Sequence, residues 1–186
     1  MKKINILKWI NIIIFLFYGL SVVYLIFIKK YNYAVICAGC IILTYILRLG
    51  NKLGNKKFDY IFNDMLIIML DLFILFSLVL GTSYGLYKIN HYDDLLHIWS
   101  GAIGSVIAYR VINVCTKKED RKNIKKIFFF IFIFMFSLGI SNLWEILKFA
   151  LDFLFEINCQ AGGLNDTMID GLIGTLIITP FLLQRL

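Results

Sequence analysis

Ile127-Phe128-Phe129-Phe130-Ile131-Phe132-Ile133-Phe134-Met135-Phe136-Ser137-Leu138-Gly139-Ile140-Ser141-Asn142-Leu143-Trp144 runs without a charged side chain until Glu145 closes it. An α-helix rises about 1.5 Å per residue and the hydrocarbon core of a bilayer is about 30 Å thick, so such a run predicts a membrane-crossing helix. Working outward, similar runs place spans at about 9–28, 33–49, 61–82, 93–114, 127–149 and 166–184. The chain therefore reads as all-α: a polytopic membrane helix bundle of about six transmembrane helices. No internal repeat, low-complexity tract or proline-rich linker divides it, which predicts a single domain over residues 1–186.

The bulk composition agrees. Of 186 residues 60% are hydrophobic, against roughly 45 to 50% in soluble domains, and proline occurs once. The net charge of +7 raises nucleic acid as a partner, but the basic residues gather between the apolar runs, and that distribution is a topology signal. No nucleic-acid binding is expected. Counted by connection, 15 Lys and Arg fall on the side of both termini and 4 on the other. The positive-inside rule then puts both termini in the cytoplasm of a multi-pass cell-membrane protein. The basic, apolar start resembles a signal peptide, yet Phe27-Ile28-Lys29-Lys30 offers no small-residue cleavage site, so residues 9–28 read as an uncleaved span. Four scattered cysteines make no disulfide framework, and Cys37-Ala38-Gly39-Cys40, inside an apolar run, reads as packed thiols.

This orientation brings acids to one level. The outer ends of spans four, five and six carry Asp93, Asp94 and His97, then Glu145 and Lys148, then Asp166 and Asp170. Charged groups at membrane depth cost about 2.5 to 3.5 kcal/mol at the centre of an inserted helix and face the bundle interior or water. In the stretch His91 to Gly101, the positions Asp93, His97 and Gly101 share one helix face, with room for a ligand at the glycine. Simpler roles compete with a site. Asn90 could cap span four ahead of Asp93, Thr167-Met168-Ile169-Asp170 matches a capping box, and Glu145 could pair with Lys148. Gly101, Gly104, Ser105 and Ala108 in span four, and Gly171, Gly174 and Thr175 in span six, predict close helix approach. No comparable convergence is expected on the inner side. Asp71, mid-span in span three, needs a partner or belongs to an ion path.

One imidazole among several carboxylates suits a divalent cation with mixed nitrogen and oxygen ligands, Zn²⁺ or Mn²⁺, held by Asp93, His97, Glu145 and Asp170. Helix N-termini at the same level also suit a lipid phosphate. The leading expectation is an envelope-facing protein that binds, with or without turnover, a lipid or cell-wall-lipid precursor head group among the membrane lipids. The alternatives are a small ion- or proton-coupled transporter using Asp71, and a structural or regulatory subunit whose acids only cap and pair.

The series Asp93-x-x-x-His97-x-x-x-Gly101, then Trp144-Glu145, then Asp166-Thr167-x-x-Asp170 resembles the YjdF-like family of uncharacterised multi-pass bacterial membrane proteins, and more distantly the VanZ-like proteins. It covers the C-terminal half of the chain. The resemblance implies a helical membrane protein, and the VanZ-like proteins imply a role at the cell surface. Lys148 and Ile177 stand where the family pattern has an acid and a glycine.

Overall fold

The computed structural model describes residues 2–53, 61–117, 119, 123–157, 159, 169, 172 and 176. Helix α1 spans Lys2–Phe27, α2 Tyr31–Leu53 and α3 Asp64–Ile74, which runs on into a π-helical stretch, Leu75–Ser83. A single 3₁₀ turn, Leu86–Lys88, leads to α4, Tyr92–Cys115, and α5, Lys126–Phe155. There is no strand among the described residues. Five helical stretches are long and apolar enough to cross a membrane: Lys8–Phe27, Tyr31–Gly50, Asp64–Ser83, Tyr92–Cys115 and Lys126–Phe155. They match the first five expected spans. The sixth, at 166–184, lies outside the described residues except for Ile169, Leu172 and Leu176.

The chain divides into two compact units, Met1–Ile89 with Leu151–Cys159, and Asn90–Ala150 with Gln160–Leu186. In the first, α1 is apolar on every side from Trp9 on, and among residues 8–27 it buries Ile14, Tyr18, Ser21 and Leu25, one stripe at helical spacing. Its other face, Trp9, Ile13, Leu16, Leu20, Val23 and Phe27, is exposed. Water would disfavour that arrangement and hydrocarbon would not. α1 turns into α2 through Lys29, whose left-handed φ of 61° lets the Lys30 N–H reach back to Leu25 O at 2.8 Å. α2 returns Cys37, Cys40 and Thr44 to the interior.

α3 begins three residues later than its hydropathy suggests, because the Asn63 side chain accepts the Leu66 N–H at 3.1 Å and caps the helix there. Its second half widens to the π form. Hydroxyls follow the altered winding: Ser83 Oγ donates to Leu78 O at 3.1 Å and Thr82 Oγ1 to Ser77 O at 3.3 Å, each five residues back. A Cβ on Gly81 would sit 2.7 Å from the Tyr87 ring, so a larger residue there requires that ring to shift. π-helical turns are rare and cluster at functional positions.

In the second unit, α4 and α5 cross along small residues. α4 buries His97, Gly101, Gly104, Ala108 and Ile112, and α5 buries Phe129, Ile133, Ser137, Ser141, Glu145 and Lys148. Ser137 Oγ donates to Gly101 O at 2.8 Å, and a Cβ on Gly104 would lie 3.1 Å from the Ser137 Cα. The gap beside Gly101, read from sequence as room for a ligand, is filled by α5. Such backbone approach is what small residues provide where lipid tails compete equally for apolar contact.

Two local expectations change. The residue capping α4 is His91, not Asn90; its φ is 63° and its Nδ1 lies 2.7 Å from Asp94 Oδ2. α5 continues past residue 149, the expected end of the span, to Phe155, so Asp152 sits in the last helical turn. Its Oδ1 accepts the Cys159 N–H at 2.6 Å and closes the helix end.

Candidate polar site in the α4–α5 pair

The apolar length that makes α4 and α5 membrane helices also forces any charge within them to find a partner. On α4, Asp93 and His97 are one turn apart; on α5, Ser141, Glu145 and Lys148 follow at four and three residues, all on the face turned to α4. Among the described residues four ionisable side chains then meet in a ring. Lys148 Nζ lies 2.7 Å from Glu145 Oε1 and 3.1 Å from Asp93 Oδ2. His97 Nε2 lies 3.0 Å from Glu145 Oε1 and 3.5 Å from Asp93 Oδ1. Each base thus faces both acids.

The ring is deeply buried. Lys148 and His97 are each 1% exposed and Glu145 4%, while the Asp93 side chain, at 23%, forms its open edge. The imidazole thus has the two carboxylates on its Nε2 side and Ser141 on its Nδ1 side. Ser141 Oγ is 3.3 Å from Nδ1.

Of the residues singled out from sequence, Asp93, His97 and Glu145 meet as expected. Asp94 does not join them, because it turns to the exposed His91 ring. Asp166 and Asp170 lie outside the described residues. Nothing among the described residues supports the zinc or manganese reading: the Lys148 ammonium bridges Asp93 and Glu145, and Asp170 lies outside the described residues. Among the described residues no three of His, Cys, Asp and Glu are grouped to hold a metal ion. Ser141 was not singled out as a site residue, although its four-residue spacing from Glu145 places both on one face.

The first unit contains a second polar centre that charge counting passed over. Arg48 on α2 pairs with Asp71 on α3, and its Nη2 also donates to Asn11 Oδ1 of α1 at 2.7 Å. Three helices converge there, on the side of the N-terminus, where no convergence was expected. Tyr18 Oη adds a bond to the Asp71 backbone carbonyl at 3.1 Å. Arg48 and Lys148 had both been counted as loop cations; setting them aside takes one from each side and leaves the asymmetry standing.

Helices of this length and hydropathy, with charges paired inside them, define a multi-pass membrane protein. The chain belongs to the family described as "Predicted membrane protein (DUF2238)", whose model matches residues 10–183. The match takes in the first three spans, which carried none of the motif residues. No curated protein and no solved structure matches the chain.

Proposed function

We propose that this protein receives the head group of a lipid, or of a lipid-linked cell-wall precursor, at the polar ring of α4 and α5 on the outer side of the cell membrane. The observation that carries the reading is a lysine 1% exposed and shared by two carboxylates beside an imidazole, with Asp93 opening the ring to its surroundings. Alternating acids and bases suit a head group that has both hydroxyl or amine donors and an anionic part. The acids accept from the donors, and Lys148 and an imidazolium at His97 face the anion. A bare phosphate, meeting as many acids as bases, would gain little.

The test is native mass spectrometry of the full chain purified in mild detergent. Wild type should retain a lipid that His97→Ala and Asp93→Asn lose. An identical lipid complement in variants that are merely less stable would leave the ring a structural device, as in the subunit reading. Sidedness is tested in intact cells with an impermeant thiol reagent. A cysteine replacing the exposed His91 should be labelled, and native Cys115, exposed at the other end of α4, should not. The reverse pattern would turn the site inward.

A carrier is the second reading, and the π-helical stretch that follows Asp71 favours it, since irregular winding is common where transport proteins bind ions. It predicts uptake of protons or a labelled solute that Asp71→Asn abolishes.

A further inference from the structure

Asp71 of α3 is wholly buried, and it meets the Arg48 guanidinium through one oxygen, Oδ2 to Nη2. An arginine and a carboxylate gain most from a two-armed contact, in which a second N–H meets the second oxygen. Here that contact is half made. Arg48 Nη2 also donates to Asn11 Oδ1, while Arg48 Nε and Asp71 Oδ1 are both buried with no hydrogen-bond partner among the described residues. A third such atom lies beside them. The Thr44 hydroxyl, wholly buried one turn before Arg48 on α2, faces the Tyr18 phenol and the Asp71 carboxyl without closing a hydrogen bond. A helical threonine commonly settles by donating to a carbonyl one turn back, as Thr116 Oγ1 does to Ile112 O at 2.6 Å. Thr44 does not.

We propose that Asp71 is a reversible proton-binding site, whose carboxyl is held by Arg48 when ionised and by Thr44 when protonated. Arg48 holds the carboxylate by Oδ2, short of Thr44. A proton on Oδ1 weakens that hold and supplies an O–H that donates to Thr44 Oγ1, so two orphaned atoms become partners. A proton needs no cavity. The pair is then a fastening between α2 and α3 that acid undoes. This site stands apart from the head-group ring and gives the carrier reading its ion.

The proton comes from water on the side of the N-terminus. Arg48 lies close to the end of the spanning stretch Tyr31–Gly50 and Asn11 close to the start of Lys8–Phe27, so the partly exposed guanidinium marks the way in. A hydronium gives its proton to Asp71 Oδ1 and leaves as water. The centre gains one positive charge, which stays on Arg48. The guanidinium keeps two partners on α1, the Asn11 amide oxygen and the Phe15 ring, whose centroid lies 5.4 Å from Cζ. α3 thus exchanges an ion pair for a neutral hydrogen bond just before its winding widens. Among the described residues few other titratable groups face Asp71. α1 presents the Tyr18 phenol, which donates to Asp71 O, and α2 presents Arg48 and, toward Tyr18, the thiols of Cys37 and Cys40. Leu75–Ser83 carries no titratable side chain, and Asp64 stands two turns earlier on α3.

Infrared difference spectroscopy of the full chain in lipid vesicles, titrated from neutral to acid pH, reads the carbonyl band of a protonated carboxyl. Wild type should gain a band that Asp71→Asn lacks and that vanishes when neutral pH is restored. Thr44→Val keeps the shape of the side chain without its hydroxyl, and should keep the band and move it to higher frequency. Should Asp71→Asn not fold, Thr44→Val decides alone. An acid difference spectrum shared by wild type and folded Asp71→Asn overturns the proposal, and so does a Thr44→Val spectrum with no band displaced. Proton flux into the same vesicles is measured separately. The band without flux ends the carrier reading and leaves this site standing, whereas uptake that needs Asp71 without the band does the reverse.

Discussion

Among the described residues each unit of this protein buries a charged centre, and the two are built differently. In the first, one guanidinium meets one carboxylate, Arg48 with Asp71, and an uncharged amide from Asn11 completes the convergence. In the second, among the described residues, two acids face one lysine and one imidazole. A matched pair can lock helices together and need do nothing more. A cluster in which two acids are each shared by a lysine and an imidazole, with one edge open at Asp93, is more than such a pair requires, and the proposed function uses that difference.

The comparison breaks most visibly at Lys148. Lys148→Met leaves two buried acids sharing one imidazole and should destabilise the protein by about 3–5 kcal/mol in detergent unfolding, with Glu145→Gln in the same chain recovering part of the loss. Arg48→Leu alone should cost somewhat less, about 2–4 kcal/mol, because that side chain is partly exposed, while Arg48→Leu with Asp71→Leu should return near wild type. A double variant as unstable as the single one would mean that the first centre is more than a fastening. Gly104→Val separates α4 from α5 without touching a charge, and thermal unfolding should register about 1–3 kcal/mol. Asp94→Asn should stay within about 0.5 kcal/mol, since its partner His91 is exposed. A larger loss there would tie Asp94 to the ring after all.

The spans were legible because apolar length is a direct consequence of bilayer thickness, and five of the six have helices over them. The α4–α5 seam was also legible in part, from the small residues of span four and from the Glu145 to Lys148 spacing. Arg48 with Asp71 was not. Each is a lone charge in a long apolar run, and nothing in one helix records the depth at which its partner on another will lie. The π-helical stretch was hidden for a related reason: Leu75–Ser83 is as apolar as an ordinary span, and nothing in that composition records the wider winding that its hydroxyls then follow. The His91 cap was missed because its ring finds Asp94, which gives a left-handed backbone at that residue a local partner.

The ring of α4 and α5 also bears on how the protein enters the membrane. Taken singly, α4 would bring Asp93 into lipid and α5 would bring Glu145 and Lys148, each charge costing up to about 2.5–3.5 kcal/mol. Residues 116–125 are all that separate the two helices, so both can leave the insertion machinery together as a hairpin. Asp93 then meets Lys148 before either meets hydrocarbon. Biogenesis of this segment is thereby cooperative: the second helix licenses the first, and a ribosome stalled before Lys148 would hold α4 without the cation its acid requires.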